Sequence, residues 1–137
     1  MNEGCVVFFS YLRAQIAICE VKMIVFNTTY TMPEADARDF VIWIHESIIP
    51  SLERDGRMKN ARLLRILSHH DQETECMGLQ METDSTATLH KWYTEMGHSM
   101  NEELLRMFDE RIVGFSTIME NLTPALSKGE GAEGTEN

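Results

Sequence analysis

Basic residues are scarce in this chain. Twelve Lys and Arg stand against 22 Asp and Glu, for a net charge of −10 at pH 7. Most of that excess lies between Met23 and Leu122. Phosphate backbones and anionic membrane surfaces are held by concentrated Lys and Arg, so neither nucleic acid nor a membrane is an expected partner. Cysteine is nearly as scarce. Cys5, Cys19 and Cys76 form no CxxC and no paired-ligand spacing. An odd, scattered set fits a reducing cytoplasm and indicates neither a disulfide framework nor a zinc site. His45-Glu46 lacks the second histidine of an HExxH motif, since Ile49 holds that position. A glycine-rich phosphate loop is also missing, and no cofactor or metal is indicated.

No apolar run is long enough to span a bilayer. The segment before Met23 has apolar stretches, Cys5-Val6-Val7-Phe8-Phe9 and Ile16-Ala17-Ile18. Glu3 stands where a signal peptide carries positive charge, and Arg13 interrupts the run. Residues 1–22 are therefore read as an extension outside the domain: a translated leader upstream of a start at Met23, with an amphipathic extension or a poor signal or anchor as alternatives. The domain is expected over 23–122. Residues 123–137 are rich in Gly and Glu and read as a disordered acidic tail.

Within the domain, hydrophobic residues are ample; they make up 43% of the whole chain. Residues 23–31 alternate as a strand rich in β-branched and aromatic side chains. Thr31-Met32-Pro33-Glu34 reads as a helix start, with Thr31 capping and Glu34 reaching back. A helix over 33–54 follows, its stripe formed by Ala37, Phe40, Val41, Ile44, Ile48 and Leu52. Pro50 should kink or stop it. Residues 61–68, ARLLRILS, read as a second strand that is apolar on both faces, and residues 74–82 as a third. Thr83-Asp84-Ser85 caps a second helix over 85–108, with a break expected near Gly97. Residues 111–119 close the series as the last strand.

The order β-α-β-β-α-β is the ferredoxin-like, split βαβ arrangement. Right-handed crossovers put both helices on one face of an antiparallel sheet. A solvated second face should then alternate to polar residues. Val25, Leu63, Leu67, Val113 and Phe115, or their opposite numbers, are instead left over. The predicted fold class is thus α+β, and a second copy packed sheet to sheet would make a dimeric α+β barrel; the alternative is that the N-terminal extension folds back over that face.

Several short motifs occur together in order: MIVFNTTY at Met23, Ile48-Ile49-Pro50 at the end of a Trp-bearing helix, ARLLRIL, Leu79-Gln80-Met81, LHKWYTE and RMFDERIVGFSTIME. On these the chain resembles a family of small bacterial dimeric α+β-barrel proteins classed as a domain of unknown function. The resemblance covers 23–122. It departs from the family at Ile48, where a histidine is common. It implies a homodimer and assigns no activity. Dimeric α+β barrels in general include cofactor-independent monooxygenases, isomerases, lyases and haem-degrading enzymes, with pockets between sheet and helices.

The candidate site residues follow from polarity in apolar settings. Asn27, Arg65 and Gln80 sit mid-strand and could hold a carboxylate or orient a carbonyl; a structural hydrogen-bond network is the plainer reading. Trp43 and Trp92 could line an aromatic pocket, although that spacing beside Leu and Met is usually core. His98, between Met96 and Met100, is the best placed of five histidines for a ligand role. His69 and His70 read as solvated loop residues. The expected function is a cytoplasmic homodimer with a small-molecule-binding or interaction role; the alternative is a small monooxygenase- or isomerase-type enzyme using the pocket between sheet and helices.

Overall fold

The computed structural model describes residues 23–123. The chain divides into a larger unit, Ile24–Met119, and a smaller one made of Met1–Met23 and Glu120–Asn137. Of the smaller unit only residues 23 and 120–123 are described, and there the Asn121 amide donates to the Met23 carbonyl at 2.8 Å. The expected leader lies outside the described residues, as does nearly all of the expected tail.

Strand β1 is Ile24–Pro33, β2 is Lys59–Arg65, β3 is Thr74–Thr83 and β4 is Val113–Glu120. They form one sheet in the order β2-β3-β1-β4. The first helix, α1, joins the segments Glu34–Trp43, Ile44–Ile48 and Ile49–Asp55. The second, α2, joins Thr86–Trp92, Tyr93–Gly97 and His98–Phe108. This is the ferredoxin-like order read from the sequence, with both helices packed on one face.

The core lies between that face and the helices. Strand alternation supplies Ile24, Phe26, Tyr30 and Met32 from β1, and Met77, Leu79 and Met81 from β3, all buried. Helical spacing supplies Phe40, Trp43, Ile44, Ile48 and Leu52 from α1, and Leu89, Trp92, Leu104 and Phe108 from α2. Their rings interlock: Phe40 lies 5.0 Å from Tyr30 and 6.2 Å from Phe108, centroid to centroid.

Both expected helix interruptions are π turns. The Ile49 amide bonds to the Ile44 carbonyl, and the His98 amide to the Tyr93 carbonyl, each five residues back. A wide turn accommodates Pro50, whose missing N–H would otherwise open the α-helical ladder. So α1 does not stop at Pro50 and runs on to Asp55. Gly56, at φ 85°, ends it in the left-handed conformation that glycine adopts without penalty.

The expected Thr31/Glu34 capping box does not form. β1 continues to Pro33, which pairs with Thr74, and the Glu34 amide donates to the Glu73 carbonyl at 3.0 Å. The sheet has taken the first free helix donor, while the Thr31 hydroxyl lies 3.1 Å from Cys76 Sγ. At α2 the expected cap does form: Ser85 Oγ accepts from the Thr88 amide at 3.1 Å.

The far face of the sheet is less greasy than its sequence implies. β2 is earlier and shorter than expected. A register irregularity between Lys59 and Arg62, with Asn60 at φ 55°, places Leu63 opposite Leu79 and against the core. Leu67 falls beyond the strand and is 83% exposed. β1 and β3 do alternate to polar or small residues there: Asn27, Thr29 and Thr31, and Cys76, Gly78, Gln80 and Glu82. The apolar remainder is Val25, Leu64, Val113, Phe115 and Met119. Val113 is 60% exposed and Phe115 65%.

Candidate functional site

Ser85 fixes where α2 starts, and that phase determines which residues face the sheet. Thr86, Leu89, His90 and Tyr93 follow at i, i+3, i+4 and i+7, so they share one face of the helix. Opposite them stand Phe26 of β1 and Ser116 and Ile118 of β4. Together these seven residues line a partly open cavity of about 270 Å³. Phe26 and Leu89 are its buried floor. Tyr93 meets Phe26 edge-on, with centroids 6.4 Å apart and planes at 72°. Trp92 supports Phe26 from behind at 6.2 Å.

The polar groups of this cavity are neutral hydroxyls and one imidazole. Ser116 Oγ and Thr28 Oγ1 lie 2.9 Å apart, bridging β4 and β1. Tyr93 Oη accepts from Asn101 Nδ2 at 3.1 Å, which leaves the phenolic O–H free to donate. His90 and Thr86 are exposed and stand at the rim. No Asp, Glu, Lys or Arg is among the lining residues. Such a set can orient an apolar ligand through one or two hydrogen bonds; it has no fixed charge with which to hold an ion.

Two glycines, Gly114 and Gly97, permit close packing of tyrosine rings. A β-carbon on Gly114 would lie 2.9 Å from Tyr30 Cδ1, so the Tyr30 ring passes directly under β4. Burial pushes the Tyr30 phenol up to about 12; the Thr28 hydroxyl opposes this, and nearby Tyr93 adds to it. Gly97 plays the same part for the Tyr93 ring.

The six residues singled out from the sequence fall in separate places. Only Asn27 and Gln80 come together, as register partners on the far face of the sheet. Asn27 Nδ2 donates to Thr29 Oγ1 at 3.2 Å, with its side chain across Gly78, where a β-carbon would lie 3.1 Å from Asn27 Oδ1. Gln80 Oε1 accepts from Arg62 Nη2 at 2.8 Å. Arg62 is therefore the arginine of this face, because the β2 irregularity changes the phase of the strand. Arg65 sits instead at the exposed end of β2, donating from Nε to Glu75 Oε1 at 3.0 Å. Trp43 and Trp92 are core residues on the opposite side of the sheet, buried with their indole N–H groups unpartnered among the described residues. His98 is not in an apolar pocket. Its side chain is 69% exposed, with Nε2 3.2 Å from Glu102 Oε2. Among the described residues no cluster of His, Cys, Asp and Glu could hold a metal ion. In the loop between β2 and β3, His69 Nε2 engages Thr74 Oγ1 at 2.6 Å.

The cavity residues Ser116 and Thr86 are ordinary by themselves in the sequence, where His90 stands out only as lying two turns before His98 on the second helix. The available signal was the spacing of Thr86, Leu89, His90 and Tyr93 after a strong cap. It could have shown a mixed polar and apolar edge to α2, but not which strand lay opposite.

Residues 23–122 match the family described as Domain of unknown function (DUF4286). The chain belongs to that family. No curated protein matches it in sequence. Among solved structures, the DUF4286 domain is similar to a dimeric ferredoxin-like protein from an uncultured marine organism, at 11% identity and a TM-score of 0.55, over 74% of this chain and 96% of that one. It is also similar to a Bacillus cereus protein named after the antibiotic biosynthesis monooxygenases, at 17% identity and a TM-score of 0.52, over 74% and 94%. A third is an ethyl tert-butyl ether d (ethd) family protein from Bacillus halodurans, at 15% identity and a TM-score of 0.52, over 69% and 96%. At such identities these likenesses show the fold alone. No helix among the described residues is long and apolar enough to cross a membrane.

Proposed function

We propose that this DUF4286 chain is a cytoplasmic homodimer, a sheet-to-sheet α+β barrel that binds a small molecule between α2 and the sheet. The observation that carries the binding role is the cavity at Phe26, Leu89, His90, Tyr93 and Ser116, with an apolar floor and a few convergent polar groups. A wider depression of about 590 Å³ at Leu105, Asp109, Glu110 and Arg111 lacks such a floor.

The dimer rests on the far sheet face. Val25, Leu64, Val113, Phe115 and Met119 form its apolar share, and covering them would contribute on the order of 5 kcal/mol before association costs, since each is already partly covered. In the polar strip Arg62 already bonds Gln80 and Glu82, so its charge is paired before a partner sheet meets it. The dimeric ferredoxin-like relative supports the same assembly by fold analogy.

A second reading is an enzyme of the monooxygenase or isomerase kind. His90 favours it, as the imidazole at the cavity rim able to accept a proton. A metabolite screen by thermal shift tests the binding role, because a ligand specific for the folded state raises Tm by mass action. A hit whose effect vanishes in Leu89→Trp supports it. Hits that are all indifferent to Leu89→Trp contradict the cavity as the site. Conversion of a hit to product, lost in His90→Ala, would favour the enzyme.

A further inference from the structure

The two halves of the domain repeat each other closely enough to be compared position by position. Trp43 and Trp92 each immediately precede a π turn, Ile44–Ile48 in one half and Tyr93–Gly97 in the other. Counting from each tryptophan, Phe40 corresponds to Leu89, Val41 to His90 and Ile44 to Tyr93. In the first half this set closes the core: Phe40 and Ile44 are fully buried, and Val41 packs against them. In the second half a smaller side chain replaces the phenylalanine, and two residues with polar ends replace the aliphatics. All three changes face the cavity. The fold does not require this space, since the same turns pack without it in α1.

From this we infer that the cavity takes a neutral, planar aromatic molecule of one or two rings carrying a hydroxyl or carbonyl, a refinement that rests on the binding role proposed above. Size sets the first limit: about 270 Å³ lies just below the range for drug-sized ligands. Ring geometry sets the second. Phe26 and Tyr93 meet edge-on and offer flat and edge surfaces to a third ring, with Leu89 and Ile118 as aliphatic walls. Charge sets the third. The lining carries no carboxylate, ammonium or guanidinium, and an ion entering it would lose hydration without gaining an opposite fixed charge. The polar handles are the O–H of Tyr93, the Ser116 hydroxyl, held from behind by Thr28, and the His90 imidazole. They can donate to a carbonyl or accept from a hydroxyl at the ring edge.

The full isotope-labelled chain, titrated with 2-naphthol, 2-naphthoate and cyclohexanol and followed by amide chemical shifts, tests this inference. Shifts at Leu89, Tyr93 and Ser116 with 2-naphthol are expected, with a dissociation constant of about 1 mM or tighter. The carboxylate and the non-aromatic alcohol should bind at least tenfold more weakly. His90→Val with Tyr93→Ile, which copies the closed half, should weaken 2-naphthol at least tenfold without lowering Tm. Should that pair fail to fold, Leu89→Phe, which copies Phe40, gives the same test. Equal or tighter binding of 2-naphthoate or cyclohexanol at these amides overturns the ligand class and leaves the cavity standing. If none of the three probes moves them, the ligand class falls, while the binding role stands or falls separately by the metabolite screen with Leu89→Trp.

Discussion

Gly97 lies against Tyr93 so closely that a β-carbon at position 97 would stand 2.7 Å from Tyr93 Cδ1 and 3.1 Å from Trp92 Cζ3. The π turn brings the last residue of its loop under the ring of the first. Alanine would ordinarily stabilise a helix interior by about 1 kcal/mol over glycine. Here it must displace the ring, and overpacking of this kind costs about 1–3 kcal/mol. Gly97→Ala is expected to lower Tm slightly and to swing Tyr93 across the cavity mouth. Thermal unfolding and the Tyr93 ring resonances check this; an unmoved ring with a raised Tm contradicts it.

Tyr30 makes stability depend on alkaline pH. Its phenol is held up to about 12 by burial, against a value of 10.0 when free. A raised pKa means that the neutral form is favoured in the folded state. The associated stability is complete below pH 10 and is lost as pH rises toward 12, an amount of about 2–3 kcal/mol. Urea unfolding at pH 9 and pH 11.5 should show the wild type losing about 2 kcal/mol more than Tyr30→Phe, since pH 11.5 is still short of the folded value. Parallel losses in the two proteins would contradict it.

Asp109 closes α2 with φ 57° and ψ −139°, a backbone state suited to glycine. Such strain costs about 1–3 kcal/mol in a residue with a β-carbon, and the greater freedom of unfolded glycine returns part of it. Arg111, anchored on Asp36 by Nε at 2.8 Å and Nη2 at 3.3 Å, holds the Asp109 carboxylate from Nη1 at 3.1 Å. Asp109→Gly should therefore raise stability by about 1 kcal/mol, read by denaturant midpoint. A lowered midpoint would mean that the carboxylate matters more than the strain.

The sequence was most legible where one periodicity ruled. Ile24, Phe26, Thr28 and Tyr30 alternate cleanly, and their face is the buried one. The stripe Phe40, Ile44, Ile48 and Leu52 ran on one side of α1 despite Pro50. β2 was harder, because ARLLRILS is apolar in both phases and alternation cannot choose between Leu63 and Leu64. A local irregularity at Asn60 decided it, and that choice moved Arg65 out of the site and Arg62 into the polar strip. The cavity was illegible for a different reason. It is made by α2, β1 and β4, residues far apart in sequence, and its distinguishing feature is a change from Phe, Val and Ile to Leu, His and Tyr that shows only when the two halves are laid side by side.

Phe115 is the largest exposed side chain on the far face, flanked on β4 by Val113 and Met119. Phe115→Asp would place a charge where a partner sheet must sit, and an unpaired buried charge is not tolerated. The variant should dissociate at concentrations where the wild type is paired, while its circular dichroism is retained. Unchanged association would mean that the contact lies elsewhere.

Sedimentation velocity of the unmodified chain at micromolar concentration tests the central claim most directly. A single boundary at twice the chain mass is the predicted result. A folded, stable species at the mass of one chain would contradict the barrel, because no second sheet would then cover Val113, Phe115 and Leu64.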